Sequence, residues 1–243
     1  MIRCVAGSEL PPERDTECSA RIHSLRNAYG NTDLVRFYTD EAGVSLALLD
    51  GVATLDMAEN PTEEWQAFIR LLPDLRILHT AGTAGEWLSA IENMDCTSGK
   101  LMRFTGKIPP QNTIEASYKL EDLYSLLQSG FTALPPFDSW YVDVSHRVRH
   151  NTCHLAVVVR DGVPVSMAMT VAETQQAAVI GAVVTAPSYR RQGLASRCIT
   201  NLLAQLADKR TVWIAPVDTI AEQLYARLGF TICESQKWAE LIL

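Results

Sequence analysis

In the last third of the chain, short apolar runs alternate with apolar stripes spaced by three and four, and that order confines it to a layered α/β architecture. His154 to Arg160 is a short apolar run, Asp161-Gly162 is a hairpin turn signal, and Val163 to Glu173 alternates in part before a polar Thr-Gln-Gln turn. These predict two antiparallel strands. Ala177 to Val184 predicts a third, ended at Thr185-Ala186-Pro187, because proline lacks the backbone donor a ladder needs. From Gly193 onward, Leu194, Cys198, Ile199, Leu202, Leu203 and Leu206 form the stripe of a helix buried on one side, which Asp208-Lys209-Arg210 closes. Thr211 to Val217 predicts another buried strand. Asp218 to Leu228 predicts a second helix with Ile220, Leu224, Tyr225 and Leu228 on one face and Gly229 as its stop.

The first part repeats this order. Three short strands are expected between Leu34 and Met57, joined at Glu41-Ala42-Gly43 and Asp50-Gly51. A helix starts at Asn60-Pro61-Thr62-Glu63, with Asn60 as its cap, and runs through EEWQAFIRLL. Arg76 to Thr80 predicts a buried strand and Ala84 to Met94 a further helix. The echo divides the chain into residues 1–98 and 99–243, with a break at Thr97-Ser98-Gly99 and a strand LMRFTGK opening the second domain.

Composition removes several function classes. With 47% hydrophobic and 20% charged residues the chain can bury a core, so disorder is not expected. No stretch approaches the roughly 20 apolar residues of a membrane span, and the N-terminus lacks a signal peptide's basic flank and apolar run, which predicts a cytoplasmic protein without membrane attachment. A net charge of -7 argues against a nucleic-acid partner. The six cysteines contain no C-x-x-C pair, so free thiols are expected. His146, His150 and His154 are spaced by four, but no Glu follows the first as in H-E-x-x-H, and Arg147 and Arg149 interleave positive charge; no metal is expected.

The residues with chemical content lie between the third strand and its helix: Arg190, Arg191, Gln192, Gly193, Leu194, Ala195 and Ser196. The first amides of a helix have no internal partner and carry the positive end of its dipole, so this turn forms a place for phosphate oxygens. Gly193 lets a ligand approach the main chain, and the two arginines add charge.

Arg190, Gly193 and Ala195 match the phosphate turn of the GNAT superfamily of N-acetyltransferases, which reads Gln or Arg, two free positions, Gly, one free position, then Gly or Ala. Ala221, Leu224, Tyr225, Gly229 and Phe230 match that family's later helix, and the C-terminal 90 or so residues therefore resemble a GNAT module. Asp218 departs from the usual Asn, losing its amide donors, and is read as the helix N-cap.

The resemblance implies a mixed, mostly antiparallel central sheet flanked by helices, in two tandem halves of which only the second is intact. It further implies acetyl-CoA as acyl donor, its pyrophosphate on the Arg190 to Ser196 turn and its pantetheine arm along Val183, Val184 and Thr185. An amine of a small molecule, amino acid or peptide would attack the thioester directly, and Tyr225 would protonate the departing thiolate. Glu173 and Asp143 are candidate bases, and the helix holding His146 would flank the acceptor and help bind it. The first half, acidic where Arg and Gly would be needed, should hold no coenzyme. The competing reading is a catalytically inactive acyl-CoA sensor or protein-interaction module; acceptor, acyl preference and oligomeric state are left open.

Overall fold

The computed structural model describes residues 1–82, 84, 87, 88, 95–110 and 117–242. Along the chain run β1 (Arg3–Val5), α1 (Glu17–Tyr29), β2 (Val35–Thr39), β3 (Ser45–Leu49), β4 (Val52–Asp56), α2 (Glu63–Leu71), β5 (Ile77–Ala81) and β6 (Asp95–Phe104). There follow α3 (Leu120–Gln128), α4 (Phe137–Arg149), β7 (Leu155–Arg160), β8 (Val163–Glu173), β9 (Ala177–Thr185), α5 (Leu194–Gln205), β10 (Thr211–Ile214), α6 (Thr219–Arg227) and β11 (Phe230–Ile242). Most of the helix expected at Ala84 to Met94 lies outside the described residues. Among the described residues no helix is long and apolar enough to cross a membrane.

The chain forms two compact units, one of Met1–Arg103, Ala215–Val217 and Ile232–Leu243, the other of Phe104–Ile214 and Asp218–Thr231. In the first unit β1, β2, β3 and β4 pair antiparallel in succession. β4 then pairs parallel with β5, and β5 takes the end of β11 antiparallel, from Trp238↔Ala81 to Ile242↔Ile77. Leu46, Leu55, Trp65, Leu78 and Leu241 are buried together in its core. Burying such side chains contributes about 1.5–3 kcal/mol each. Trp65 also satisfies its indole N–H, which donates to Asp40 Oδ2 at 2.7 Å.

The second unit repeats the pairing order: β7, β8 and β9 are antiparallel, and β9 pairs parallel with β10. A core of Leu123, Leu127, Trp140, Val144, Val157, Met167, Met169 and Val184 joins α3 and α4 to one face of these strands. The stripe read from the sequence sits on α5, where Leu194, Cys198, Ile199, Leu202 and Leu203 are all buried. Both Asp-Gly turns form as expected. Asp50 and Gly51, like Asp161 and Gly162, both have positive φ, which matches the right-handed twist of a hairpin.

Four local expectations are corrected. The cap of α2 is Thr62, whose Oγ1 accepts the Trp65 amide, because the helix begins after Pro61 rather than through it. The strand expected from Leu101 is longer than read: β6 begins at Asp95 and takes in Thr97, Ser98 and Gly99. β10 stops at Ile214 instead of Val217, since Pro216 has no N–H to continue a ladder. On α6 the expected apolar face is only partly covered: Tyr225 is buried and Leu224 and Leu228 are half-buried, but Ile220 is 77% exposed.

Candidate active site

Parallel pairing of β9 with β10 covers only Ala177 to Ile180, opposite Thr211 to Ile214. β9 continues for five more residues, Gly181 to Thr185, held on its other side by β8 through Met169↔Gly181, Met167↔Val184 and Ser166↔Thr185. The parallel pairing thus ends at Ile180, while β9 itself runs on to Thr185. Between Gly181 and Val184 two residues oppose one on β8, and Ala182 has φ 49°. This bulge shifts the alternation of side chains, so Val183 to Thr185 face differently from the residues before them. Sequence reasoning missed Ala182. Its one signal was Gly181, a lone glycine in a strand pattern, which often marks a bulge.

The end of β9 is braced from inside. Ser166 Oγ is buried, donates to the Val184 carbonyl at 3.1 Å and lies 2.8 Å from Thr185 Oγ1. Val184 itself is buried in the core, while Val183 and Thr185 are half-buried. Arg190 Nε donates to the Thr185 carbonyl at 3.1 Å, so this arginine ties the following turn back to the strand.

In that turn Arg191 (φ 63°) and Gly193 (φ 74°) are both left-handed, with Gln192 between them. Backbone that changes hand in this way points successive N–H groups into a shared concavity for an anion. Left-handed backbone is costly for a side-chain-bearing residue such as Arg191, and strain of this kind gathers at functional sites. Gly193 caps α5, and the first intrahelical bond is donated by the Arg197 amide to its carbonyl at 3.0 Å. Amides ahead of Arg197 therefore point out of the helix start. Leu194 is buried and anchors the turn, Ala195 and Ser196 are half-buried, and Arg190, Arg191, Gln192 and Gly193 are exposed.

α5 and α6 follow adjacent parallel strands, so both helix starts lie beyond the carboxyl ends of β9 and β10, where open α/β sheets bind ligands. Asp218 caps α6 as expected: its Oδ1 accepts the Ala221 amide at 2.7 Å. Tyr225 is buried with its ring 6.2 Å from that of Phe230. Burial, helped by the charge of Asp218, pushes its phenol up to about 12, so it keeps its proton at neutral pH. Burial likewise pushes the Cys153 and Cys198 thiols of this unit up to about 11.

The two candidate bases are occupied elsewhere. Glu173 is buried and bound to His154 Nδ1 (2.8 Å), Thr170 Oγ1 (3.0 Å) and Lys209 Nζ (3.4 Å). It pairs with Ala178, six residues from Val184, which at about 3.3 Å per residue puts it roughly 20 Å from the strand end. Asp143 holds Arg147 through contacts of 2.7 to 3.1 Å within α4. The three histidines do not converge: the rings of His146 and His150 lie 4.2 Å apart, tilted by 34°, whereas His154 belongs to Glu173.

The His154 to Glu173 hydrogen bond, working against partial burial, raises the imidazole above its ordinary value. A raised value in the folded state means stability that is complete below about pH 6.5 and lost as pH rises through the raised value. Urea unfolding of His154→Ala should therefore show a deficit of about 1 kcal/mol near pH 6 that shrinks as pH rises through the raised value. A deficit independent of pH would remove the charged pair from this account.

Residues 120–230 match the family model described as "Acetyltransferase (GNAT) family". Among solved structures, a GCN5-related N-acetyltransferase from Kribbella flavida is 19% identical, with a TM-score of 0.60 over 93% of each chain. A Drosophila protein is 13% identical with a TM-score of 0.63, covering 99% of this chain and 98% of the other. A tandem GNAT protein from the clavulanic acid biosynthesis pathway is 13% identical with a TM-score of 0.56, covering 100% and 98%. At these identities the likeness is one of fold, and it extends over both units. No curated protein matches the sequence.

Proposed function

Because residues 120–230 match the model of the GNAT acetyltransferase family, we propose that this protein transfers an acetyl or other short acyl group from acyl-CoA to a primary amine of a small molecule, amino acid or peptide. The observation that carries the reading is the end of β9–β10 pairing at Ile180, five residues before β9 itself ends and leads to the left-handed turn at the start of α5. A pantetheine arm can add to the end of β9 as a further strand would, along Val183, Val184 and Thr185. The pyrophosphate then reaches the amides from Arg191 to Ser196, and the Arg191 guanidinium adds charge.

In the reaction the amine nitrogen attacks the thioester carbonyl carbon. The oxyanion is held by a main-chain amide near Val184. The carbon–sulfur bond breaks, the thiolate takes the Tyr225 proton, and the ammonium proton leaves through water, since Glu173 and Asp143 are engaged elsewhere. Reference values of about 10 for a phenol and 8.5 for a thiol make that transfer uphill. Burial that lifts Tyr225 to about 12 makes it more so, and the transfer then depends on a short contact between phenol and thiolate in a site closed to water.

Calorimetry tests the binding step: acetyl-CoA and coenzyme A should each bind at one site, and silence at millimolar ligand would sink the proposal. A panel of amines with a free-thiol readout then separates an enzyme from a sensor. Binding without thiol release across the panel would favour the sensor.

A further inference from the structure

In the first unit, away from everything used above, α1 and β5 bring together a buried carboxylate, thiol and imidazole. Glu17 and Cys18 are the first two residues of α1, positioned by the Thr16 cap, whose Oγ1 accepts the Ser19 amide at 3.0 Å. Both are 1% exposed, and His79 on β5 is 6% exposed. Glu17 Oε2 lies 2.9 Å from His79 Nε2 and 3.6 Å from Cys18 Sγ, and one ligand atom from each of the three falls within 4.8 Å of the other two. A tetrahedral ion bound at about 2.0–2.3 Å would hold such atoms roughly 3.3–3.6 Å apart. The observed spacings need to change by an ångström or so at most.

The surroundings suit an ion as well. His79 Nδ1 donates to Glu240 Oε1 at 3.0 Å, from the facing residue of β11, which fixes the ring and turns Nε2 toward Glu17 and Cys18. A carboxylate behind a ligating histidine is the usual support of a zinc-bound imidazole. The other oxygen of Glu17 accepts from Arg21, so Oε2 is directed to the cluster. Burial and the neighbouring Glu17 carboxylate push the Cys18 thiol well above its ordinary value, so it holds its proton until an ion displaces it. As a purely structural device the cluster is expensive, because it buries ionised groups where apolar side chains of similar size would stabilise as well or better.

We propose that Glu17 Oε2, Cys18 Sγ and His79 Nε2 form a zinc-binding site, with Glu240 and Arg21 positioning the ligands. The mixed sulfur, nitrogen and oxygen set suits this borderline-soft ion over magnesium or calcium. Binding replaces two protons: the Cys18 thiol proton and the His79 Nε2 proton leave to solvent as the metal–sulfur and metal–nitrogen bonds form. No step of acyl transfer depends on the site, so its test is independent of the proposed activity.

Zinc is added to the metal-stripped protein by calorimetry in buffers of differing ionisation enthalpy, and cobalt(II) serves as the spectroscopic probe. Expected are one zinc per chain, release of about two protons, and a thiolate-to-cobalt charge-transfer band that Cys18→Ser abolishes. Glu240→Gln should weaken zinc about 10- to 100-fold. Should Cys18→Ser fail to fold, X-ray absorption of zinc-loaded wild type decides alone, by a single sulfur at about 2.3 Å. No stoichiometric binding, no proton release, a sulfur-free spectrum, or a band retained in Cys18→Ser would each overturn the site; the last would assign the thiolate to another of the six cysteines.

Discussion

Replacing Tyr225 by Phe is expected to lower kcat about 10²- to 10⁴-fold, the usual worth of a positioned proton donor, while KM for acetyl-CoA moves by less than about threefold. The ring is what packs: Tyr225 is 5% exposed and lies 6.2 Å from Phe230, and Phe keeps that contact. The phenol of about 12 keeps its proton throughout the working range, so wild-type kcat should not fall on an alkaline limb belonging to Tyr225 below about pH 10. Steady-state kinetics with an accepted amine reads both quantities. Unchanged kcat would take Tyr225 out of the mechanism and leave it a core aromatic. A rise in KM with kcat unchanged would make it a binding residue instead.

How far the sequence reveals such a site depends on whether the forces are local. The stripe of α5 was legible because each apolar residue on it is buried, so burial wrote a 3.6-residue period into the sequence. The Asp-Gly turns and the Asp218 cap were legible for a similar reason, since one or two residues determine each. By contrast α1 buries Glu17, Ser19, His23 and Ser24 beside Cys18, Ala20 and Ile22, so it presents no apolar stripe and passed unnoticed. Glu17 among them is bonded to His79, and no spacing rule reaches across 62 positions.

The parts of the candidate site that stayed hidden share this origin. Ala182 and Arg191 take left-handed backbone that their residue types do not favour, so the sheet and the turn around them impose it. Glu173 reads as a surface charge, yet it is 4% exposed because His154, Thr170 and Lys209 neutralise and bond it. The end of β11 is likewise placed by pairing with β5, which lies more than 150 residues earlier. Position in the chain alone would assign those last residues to the second half, whereas their contacts belong to the first unit.

Gly193→Val is expected to weaken acetyl-CoA about 100-fold, equal to roughly 2.7 kcal/mol, or one to two charge-assisted hydrogen bonds. Two effects of the substitution must be kept apart. Gly193 has φ 74°, and a branched side chain there strains the backbone by about 1–2 kcal/mol, which lowers stability whether or not a ligand binds. The second effect is occlusion. A Cβ at this position meets no protein atom within 4 Å, so the protein itself has room for a side chain, and whatever affinity is lost beyond strain measures what sits above the turn. Gly193→Asn separates the two, because asparagine tolerates left-handed backbone while still filling that space. Thermal melting should fall for Val and hardly for Asn, whereas calorimetry should show both losing most of their acetyl-CoA affinity. If Asn binds the coenzyme as wild type does, the Arg190 to Ser196 turn is not where the pyrophosphate lies.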